Sequence, residues 1–185
     1  APGMTEVTVN KAGASADDVK THYTTDITKL GEAYNATTKT VYDTVERALN
    51  AAQSSETVQV INDATLDTAS ETTIKEGVIL VVNSGVTLNK LTNNGTIQNN
   101  GTIIGTVTEG SNTVTYVTVS FYESDTATVT TSYQVKSGDY ITLPSASQAG
   151  YILAGWAFGT PNGNLYSVGA SVQISSDCAF YAVWQ

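Results

Sequence analysis

The chain has 185 residues, of which 41% are hydrophobic and only 14% are charged, and its formal net charge is −9 at pH 7. Proteins that bind nucleic acids or anionic membrane surfaces need basic surface to contact phosphates, so this acidic balance argues against both classes. The length is sufficient for one large or two small cores, and the many Thr, Ser, Asn and Gly residues are typical of extracellular β-structure.

Residues that bind metals or form disulfides are scarce. Cys178 is the single cysteine and His22 the single histidine, so the chain can form neither an internal disulfide nor a site built from several cysteines or histidines. We therefore expect no catalytic residue, no cofactor and no tightly bound metal. The absence of a run of about 18 apolar residues predicts no membrane insertion. No signal peptide is visible, so secretion is inferred from composition and resemblance alone.

The first forty residues give weak local signals. Residues 1–14 are expected to be irregular. A helix is predicted over residues 15–31, capped by Ser15 with Asp18 three residues later, and ended by Gly31. The segment from Tyr34 to Tyr42 is rich in Thr and is expected to be extended. The predicted helix rests on apolar residues that share one helical stripe: Val19, Tyr23, Ile27 and Leu30.

A second helix is predicted at about residues 44–53, with Asp43 or Thr44 as its N-cap. A strand over residues 57–61 follows, and short apolar segments that begin with Gly and a β-branched residue then recur. The Asn-Asn-Gly triplets before two of them are strong turn signals, because Asn and Gly accept positive φ at low cost. The recurring segments are Gly77-Val78-Ile79-Leu80, Gly85-Val86-Thr87-Leu88, Gly95-Thr96-Ile97 and Gly101-Thr102-Ile103.

Two architectures fit these recurring segments. One is a set of β-hairpins, and the other is a short right-handed β-helix, or solenoid, in which each coil adds a strand and buries an aliphatic row. We favour the β-helix, because the segments are alike in content and few aromatic residues interrupt them. Residues 44–52 followed by residues 57–60 resemble the helix-then-coil start of bacterial surface β-helices. Residues 74–88 resemble the Gly-Val-x-Leu coils of the same proteins.

A different pattern begins near Tyr116. Val117, Val119 and Phe121 share one face of a strand, and a Thr-rich hairpin follows. The remaining motifs are Gly138-Asp139, Leu143-Pro144, Gly150-Tyr151, Gly155-Trp156, the Pro161-Asn162-Gly163-Asn164 turn, and Phe180-Tyr181-Ala182-Val183-Trp184.

In this order, residues 115–185 closely resemble the Listeria–Bacteroides repeat, the B-repeat family of bacterial surface proteins. Leu153 stands where that family usually has Phe, and Ala157 where an aromatic residue is common. The resemblance implies a small β-grasp-like fold in a secreted or wall-attached protein, and it implies no enzymatic activity.

The fold class predicted for the whole chain is mainly β with N-terminal helices. We expect two domains, a helix-capped short β-solenoid at residues 1–112 and a B-repeat-like β-grasp domain at residues 115–185. The predicted function is that of a non-catalytic spacer, display or adhesion module, extracellular or on the bacterial cell surface. We expect a monomer whose partner is an extracellular protein or glycan. The alternatives are a carbohydrate-binding accessory module and, third, an enzyme of the polysaccharide-lyase type.

Several polar residues have a chemical and a structural interpretation. Asp63, Asp67 and Glu71 recur at four-residue steps and are either a cation or acid cluster or, as we favour, solvated acids on turns. Asn94 and Asn100 stand in glycosylation sequons that turn chemistry also explains. Cys178 is predicted to be a buried, inert thiol and His22 a surface residue of the first helix.

The aromatic residues of the second domain divide into two predicted groups. Trp156 and Trp184 are expected to be buried in the core, because large rings contribute most when they are removed from water. Exposed tryptophans would instead favour sugar binding. Tyr133, Tyr140 and Tyr166 flank turns and are the better candidates for exposed contact residues.

Overall fold

The computed structural model describes residues 3–13, 20–66, 72–89, 92–124 and 128–185. Within these residues the chain is mainly β, with one α-helix, α1 (Val45–Ala51), and one short 3-10 turn at Ile27–Lys29. The chain forms two compact units, Ala1–Val114 and Thr115–Gln185.

The strands are short in the first unit and longer in the second. The first unit contains β1 Thr5–Asn10, β2 Lys20–Thr24, β3 Ala33–Asn35, β4 Thr40–Tyr42, β5 Thr57–Val60, β6 Thr73–Ile74, β7 Ile79–Val82, β8 Thr87–Asn89, β9 Thr92–Asn93, β10 Thr96–Asn99, β11 Thr102–Ile104 and β12 Thr106–Glu109. Strand β13 begins in the first unit and continues into the second. The second unit has β13 Asn112–Tyr122, β14 Val129–Lys136, β15 Tyr140–Thr142, β16 Leu153–Phe158, β17 Leu165–Tyr166, β18 Ser171–Gln173 and β19 Cys178–Trp184.

The N-terminal segment is a strand, so the expectation of an irregular start at residues 1–14 is wrong over Thr5–Asn10. Val7 and Val9 alternate with polar residues and are both buried, which is the period of a half-buried strand. Strand β1 pairs antiparallel with β2 and parallel with β4.

The helix predicted over residues 15–31 is also wrong in its described part, which forms β2 and the 3-10 turn. Tyr23, assigned to the helical stripe, is 64% exposed, whereas Ile27 and Leu30 pack against a small core. β-Branched threonines favour extended backbone, and pairing with β1 outweighs the helical spacing. Ser15, Asp18 and Val19 lie outside the described residues. The buried residues of this small core are Val7, Val41 and Ile61.

The second predicted helix is confirmed as α1. Thr44 is its N-cap, and its side-chain oxygen accepts a hydrogen bond from the Arg47 amide at 3.3 Å. Asp43 serves a different purpose, because its carboxylate binds the Arg47 guanidinium at 2.6 Å and accepts from the Ala12 amide at 2.8 Å. The apolar face of α1 is buried, as an amphipathic stripe requires.

The recurring segments of residues 57–109 form parallel ladders. Strand β7 pairs parallel with both β5 and β10, β8 pairs parallel with β11, and β9 pairs parallel with both β6 and β12. Hairpin strands would pair antiparallel, so a run of hairpins is wrong for these strands. The ladders place like positions side by side: Val58, Leu80 and Ile97 in one row, and Leu88 beside Ile103 in another.

The two Asn-Asn-Gly turns are confirmed, but for a different physical reason than positive φ. Asn93 and Asn99 accept hydrogen bonds from the Gly95 and Gly101 amides, at 3.0 and 3.1 Å. A Cβ on Gly95 would lie 2.3 Å from the carbonyl oxygen of Val78, and a Cβ on Gly101 would lie 2.3 Å from that of Val86. Glycine is therefore needed because two backbones approach closely.

The second unit is a mixed sheet in the order β14-β13-β19-β16-β17. The pair β13 and β19 is parallel, and the other neighbouring pairs are antiparallel. A small antiparallel pair, β15 with β18, contributes Ile141 to the core. The predicted inward face of β13 is confirmed, since Val117, Val119 and Phe121 are buried. No helix occurs in the described residues of this unit.

Candidate functional site

The core of the second unit is built on aromatic rings. Phe121 lies at its centre, stacked on Phe180 with ring centroids 5.4 Å apart and edge-to-face with Trp156 at 4.9 Å. Trp156 is 3% exposed, and its indole nitrogen donates to the Pro144 carbonyl oxygen at 2.8 Å. The prediction of a buried, structural Trp156 is confirmed.

Trp184 occupies a less enclosed position. Its ring is partly buried and packs against the same core. Its indole nitrogen is buried and has no hydrogen-bond partner among the described residues. A buried donor without a partner loses the hydrogen bond that it would make with water. The expected burial of Trp184 is therefore confirmed only in part.

A groove of about 260 Å³ lies beside these two tryptophans. We call it the aromatic groove. Residues of strand β14 and of the loop of residues 144–147 are among those that line it. Glu123 is the only charged residue among the described residues that line it. The residues that line the aromatic groove include Phe121, Glu123, Tyr133, Ser145, Trp156 and Trp184.

The opposite face of the sheet carries a second aromatic feature. Tyr122 and Tyr181 are neighbours across the β13–β19 pair, and their rings stack with centroids 5.0 Å apart and an interplanar angle of 18°. Both side chains are partly exposed. Tyr122 borders an open depression of about 690 Å³, which is also lined by Thr118, Ser120 and Asp177.

The turn-flanking tyrosines differ in exposure. Tyr140 is 67% exposed and Tyr133 is 36% exposed, as expected of contact residues, whereas Tyr166 is only partly exposed and packs on Phe180. Sequence reasoning missed Tyr151, which is 57% exposed. It also missed the Tyr122–Tyr181 pair. The sequence contains an indication of this pair, because in the alternating strand Tyr122 falls on the same face as the polar residues Thr118 and Ser120.

The motifs and their arrangement agree with one known family. Residues 113–183 match the family model of the Listeria-Bacteroides repeat domain. The match confirms the resemblance and covers nearly all of the second unit. The repeat family is typical of bacterial surface proteins. Among curated proteins and solved structures, none matches the chain.

Within the repeat segment, Cys178 is partly buried and packs against the aromatic core. Burial, and secondly the negative charge of Asp177, raises the pKa of its thiol. A raised pKa lowers the thiolate fraction at neutral pH, which supports the predicted inertness of the thiol, although the side chain is partly buried and not buried as predicted.

Outside the repeat segment, the candidate polar residues His22 and Asp63 lie in the described part of the chain. His22 lies on strand β2 opposite Val7, so its assignment to a helix is wrong. Asp63 accepts a hydrogen bond from the Thr87 amide at 2.8 Å and thus joins neighbouring segments. Asp67 and Glu71 lie outside the described residues. In the described part of the chain, no three His, Cys, Asp or Glu side chains group as metal ligands.

Asn94 and Asn100 are both exposed at the turns that precede β10 and β11. The neighbouring residues Asn93 and Asn99 supply the side-chain hydrogen bonds of these turns. No helix in the described residues is long and apolar enough to cross a membrane.

Proposed function

We propose that the chain is a non-catalytic module of a secreted or cell-surface bacterial protein, acting as a spacer, display or adhesion unit. The observation that carries this proposal is the match of residues 113–183 to a repeat typical of bacterial surface proteins. The low charged fraction of 14% and the Thr-rich strands support it.

For the first unit we propose a short right-handed β-solenoid with α1 near its start. The parallel ladders of residues 57–109 support this architecture, because successive coils of a solenoid pair in parallel. For the second unit we propose a β-grasp-like fold, which the order β14-β13-β19-β16-β17 and the parallel central pair support. Two such β-structures suit a spacer, since each is held by backbone hydrogen bonds along its strands.

The proposed absence of catalysis rests on what the basic residues contact. Arg47, the only arginine, donates to the Asn10 carbonyl oxygen and to Asp43. The Lys75 ammonium donates to the carbonyl oxygens of Asn50 and Ala52 at the end of α1. A lyase that acts on acidic polysaccharide needs cations to stabilise a carbanion-like intermediate, and Lys90 is the only other basic residue between 54 and 114.

Two measurements test the functional proposal. Trypsin applied to intact cells of the source bacterium is expected to release peptides of this chain, while a cytosolic protein in the same cells stays uncut. Release only after lysis would contradict a surface location. The purified chain is expected to leave pectin and alginate unchanged and to retain no stoichiometric metal after dialysis against chelator, and turnover would favour the lyase alternative.

Carbohydrate binding is the second candidate, and the stacked Tyr122–Tyr181 pair beside an open polar depression favours it. Aromatic faces and nearby polar groups are common in ligand sites. Titration calorimetry with soluble cell-wall and host glycans tests it, with Tyr181→Ala as the site variant and Tyr23→Ala, at an exposed position of the first unit, as the control. Binding that is lost only in Tyr181→Ala would support this candidate over the spacer role.

A further inference from the structure

The strand that borders the aromatic groove has an open edge. Among the described residues, β14 pairs with β13 on one side and with no strand on the other. Its first five residues, from Val129 to Tyr133, are exposed. They include no charge, proline or glycine. Charges, prolines and β-bulges normally protect edge strands from pairing with other chains. The ladder of β13 and β14 has a register shift at Thr130, so the edge that is able to accept another strand is the regular stretch that begins at Thr131.

The backbone alternation identifies which groups face outward. The Ser137 amide donates to the Thr115 carbonyl oxygen at 2.8 Å, which marks those two residues as a hydrogen-bonded pair. Hydrogen-bonded and non-hydrogen-bonded pairs alternate along an antiparallel ladder. Along the register of this ladder, Tyr133 therefore directs its backbone groups toward β13. Ser132 therefore directs its amide and carbonyl groups toward the open edge, and the regular alternation ends at Thr130, where the register shifts.

The groove beside this edge has the chemistry of a side-chain pocket. Tyr133 and Trp184 line it, and Glu123 is the one charged residue among its described lining residues. Aromatic faces attract cations, and the carboxylate adds an opposite charge. The chain as a whole carries −9, so charge complementarity favours a basic partner over a second copy of this acidic chain.

We propose that β14 and the aromatic groove bind an extended basic peptide segment of a partner protein. The peptide adds as a strand through the outward backbone groups of Ser132. One Lys or Arg side chain enters the groove beside Glu123, Tyr133 and Trp184. Main-chain hydrogen bonds then supply affinity, and the groove selects the side chain, as in other cases of strand addition. The inference rests on the proposed adhesion function, for which it defines the class of partner.

The test uses the full chain and synthetic peptides as probes. A labelled nine-residue peptide of alternating Thr and Val, with Arg at its centre, is titrated by fluorescence anisotropy. The same peptide with Asp at its centre serves as the control. We expect the Arg peptide to bind at least tenfold more tightly. Equal affinities, or no binding of the Arg peptide at millimolar concentration, would overturn the proposal.

Two variants separate the edge from the groove. Ser132→Pro removes an outward amide while leaving the inward hydrogen bonds to β13, since proline is tolerated on edge strands. It is expected to weaken Arg-peptide binding at least tenfold. Glu123→Gln is expected to weaken it severalfold and to bring the Arg and Asp peptides closer together, a result that does not depend on how well Ser132→Pro folds. Tyr23→Ala, at an exposed site of the first unit, should bind like the parent.

Other outcomes are equally decisive. Unchanged binding in folded Ser132→Pro and in Glu123→Gln would overturn the proposal. Dimerisation of the chain by sedimentation, abolished by Ser132→Pro, would mean that a second copy occupies the edge and would also overturn it. These measurements use purified protein, whereas the proposed surface location is tested on intact cells, so a failure of one does not imply a failure of the other.

Discussion

The two tryptophans of the repeat segment differ in how well their polar atoms are satisfied. The Trp156 indole nitrogen donates to Pro144, and its ring meets Phe121 edge-to-face. The Trp184 indole nitrogen is buried without a partner among the described residues. A buried, unsatisfied donor is costly. For the same area of buried ring, we therefore expect Trp184 to add less to the free energy of unfolding than Trp156 does.

Replacing each tryptophan is expected to show this difference. Trp156→Ala should lower the free energy of unfolding by about 3–5 kcal/mol, the usual range for a buried aromatic residue. Trp184→Ala should cost less, because the ring is only partly buried. Trp184→Phe, which removes the unsatisfied donor, should cost less still. Urea unfolding followed by circular dichroism measures all three, and an equal loss for both alanine variants would contradict the argument.

Glu56 is a surface carboxylate with a fixed environment. It accepts hydrogen bonds from the Gln53 amide at 3.0 Å and from the Asn35 side chain at 2.9 Å. The Gln53 amide, followed by Asn35, holds the pKa of Glu56 below its ordinary value of 4.5. A group whose pKa is lower in the folded state contributes stability above its unfolded pKa and loses it as the pH falls through the folded value.

Glu56→Gln is therefore expected to lower the free energy of unfolding at pH 7. The difference from the parent protein should shrink as the pH falls below about 4.5. The control is Glu76→Gln, at an exposed turn residue of the same unit. Urea unfolding at pH 7, 5 and 3 gives the comparison. A deficit that stays constant over this range would show that charge on Glu56 has no part in stability.

At the scale of elements, the turns before β10 and β11 determine how neighbouring segments stack. The Thr96 amide donates to the Val78 carbonyl oxygen and the Thr102 amide donates to that of Val86, at 3.0 and 2.8 Å. Gly95 and Gly101 pass those same carbonyl oxygens without space for a Cβ. Both turns therefore have the same structure, in which an Asn side chain accepts a hydrogen bond from the amide of the glycine two residues later.

Gly95→Ala is expected to lower the free energy of unfolding by about 1–3 kcal/mol, the usual cost of forcing extra atoms into a packed site. The obstructing atoms are backbone oxygens of Val78 and Lys75, which cannot move aside as a flexible side chain can. Asn94→Ala is the matched control, because that side chain is exposed, and it should change stability by less than about 0.5 kcal/mol. Thermal unfolding of both variants tests this prediction. Equal melting temperatures would contradict the close approach of Gly95 to the backbone oxygens of Val78 and Lys75.

The elements that sequence predicts best are those with several agreeing local signals. Helix α1 has an apolar stripe and a Thr44 cap, and it was predicted correctly. The region of residues 20–31 has a helical spacing of apolar residues but extended threonines, and its pairing with β1 is a long-range contact that local periodicity does not contain. The partners of β14 and the groove beside it are missed for the same reason, since they depend on which strands become neighbours.

At the scale of the whole molecule, the buried cluster of the second unit lies entirely within residues 117–182. This segment also falls within the family match at residues 113–183. A domain of about 70 residues buries a modest fraction of its surface and is only marginally stable alone. The aromatic ring contacts around Phe121 therefore carry an unusually large share of the stability of this unit.

A fragment of residues 112–185, which retains all of strand β13, is expected to fold cooperatively by itself. Its core residues and their ring contacts are all present, so near-ultraviolet circular dichroism should show a fixed aromatic environment that is lost in a single urea transition. The fragment of residues 115–185 is the comparison, since it lacks the first three residues of β13. Both fragments should give the same transition if those residues serve only the first unit. A fragment 112–185 that stays unfolded while the whole chain folds would show that the two units depend on one core.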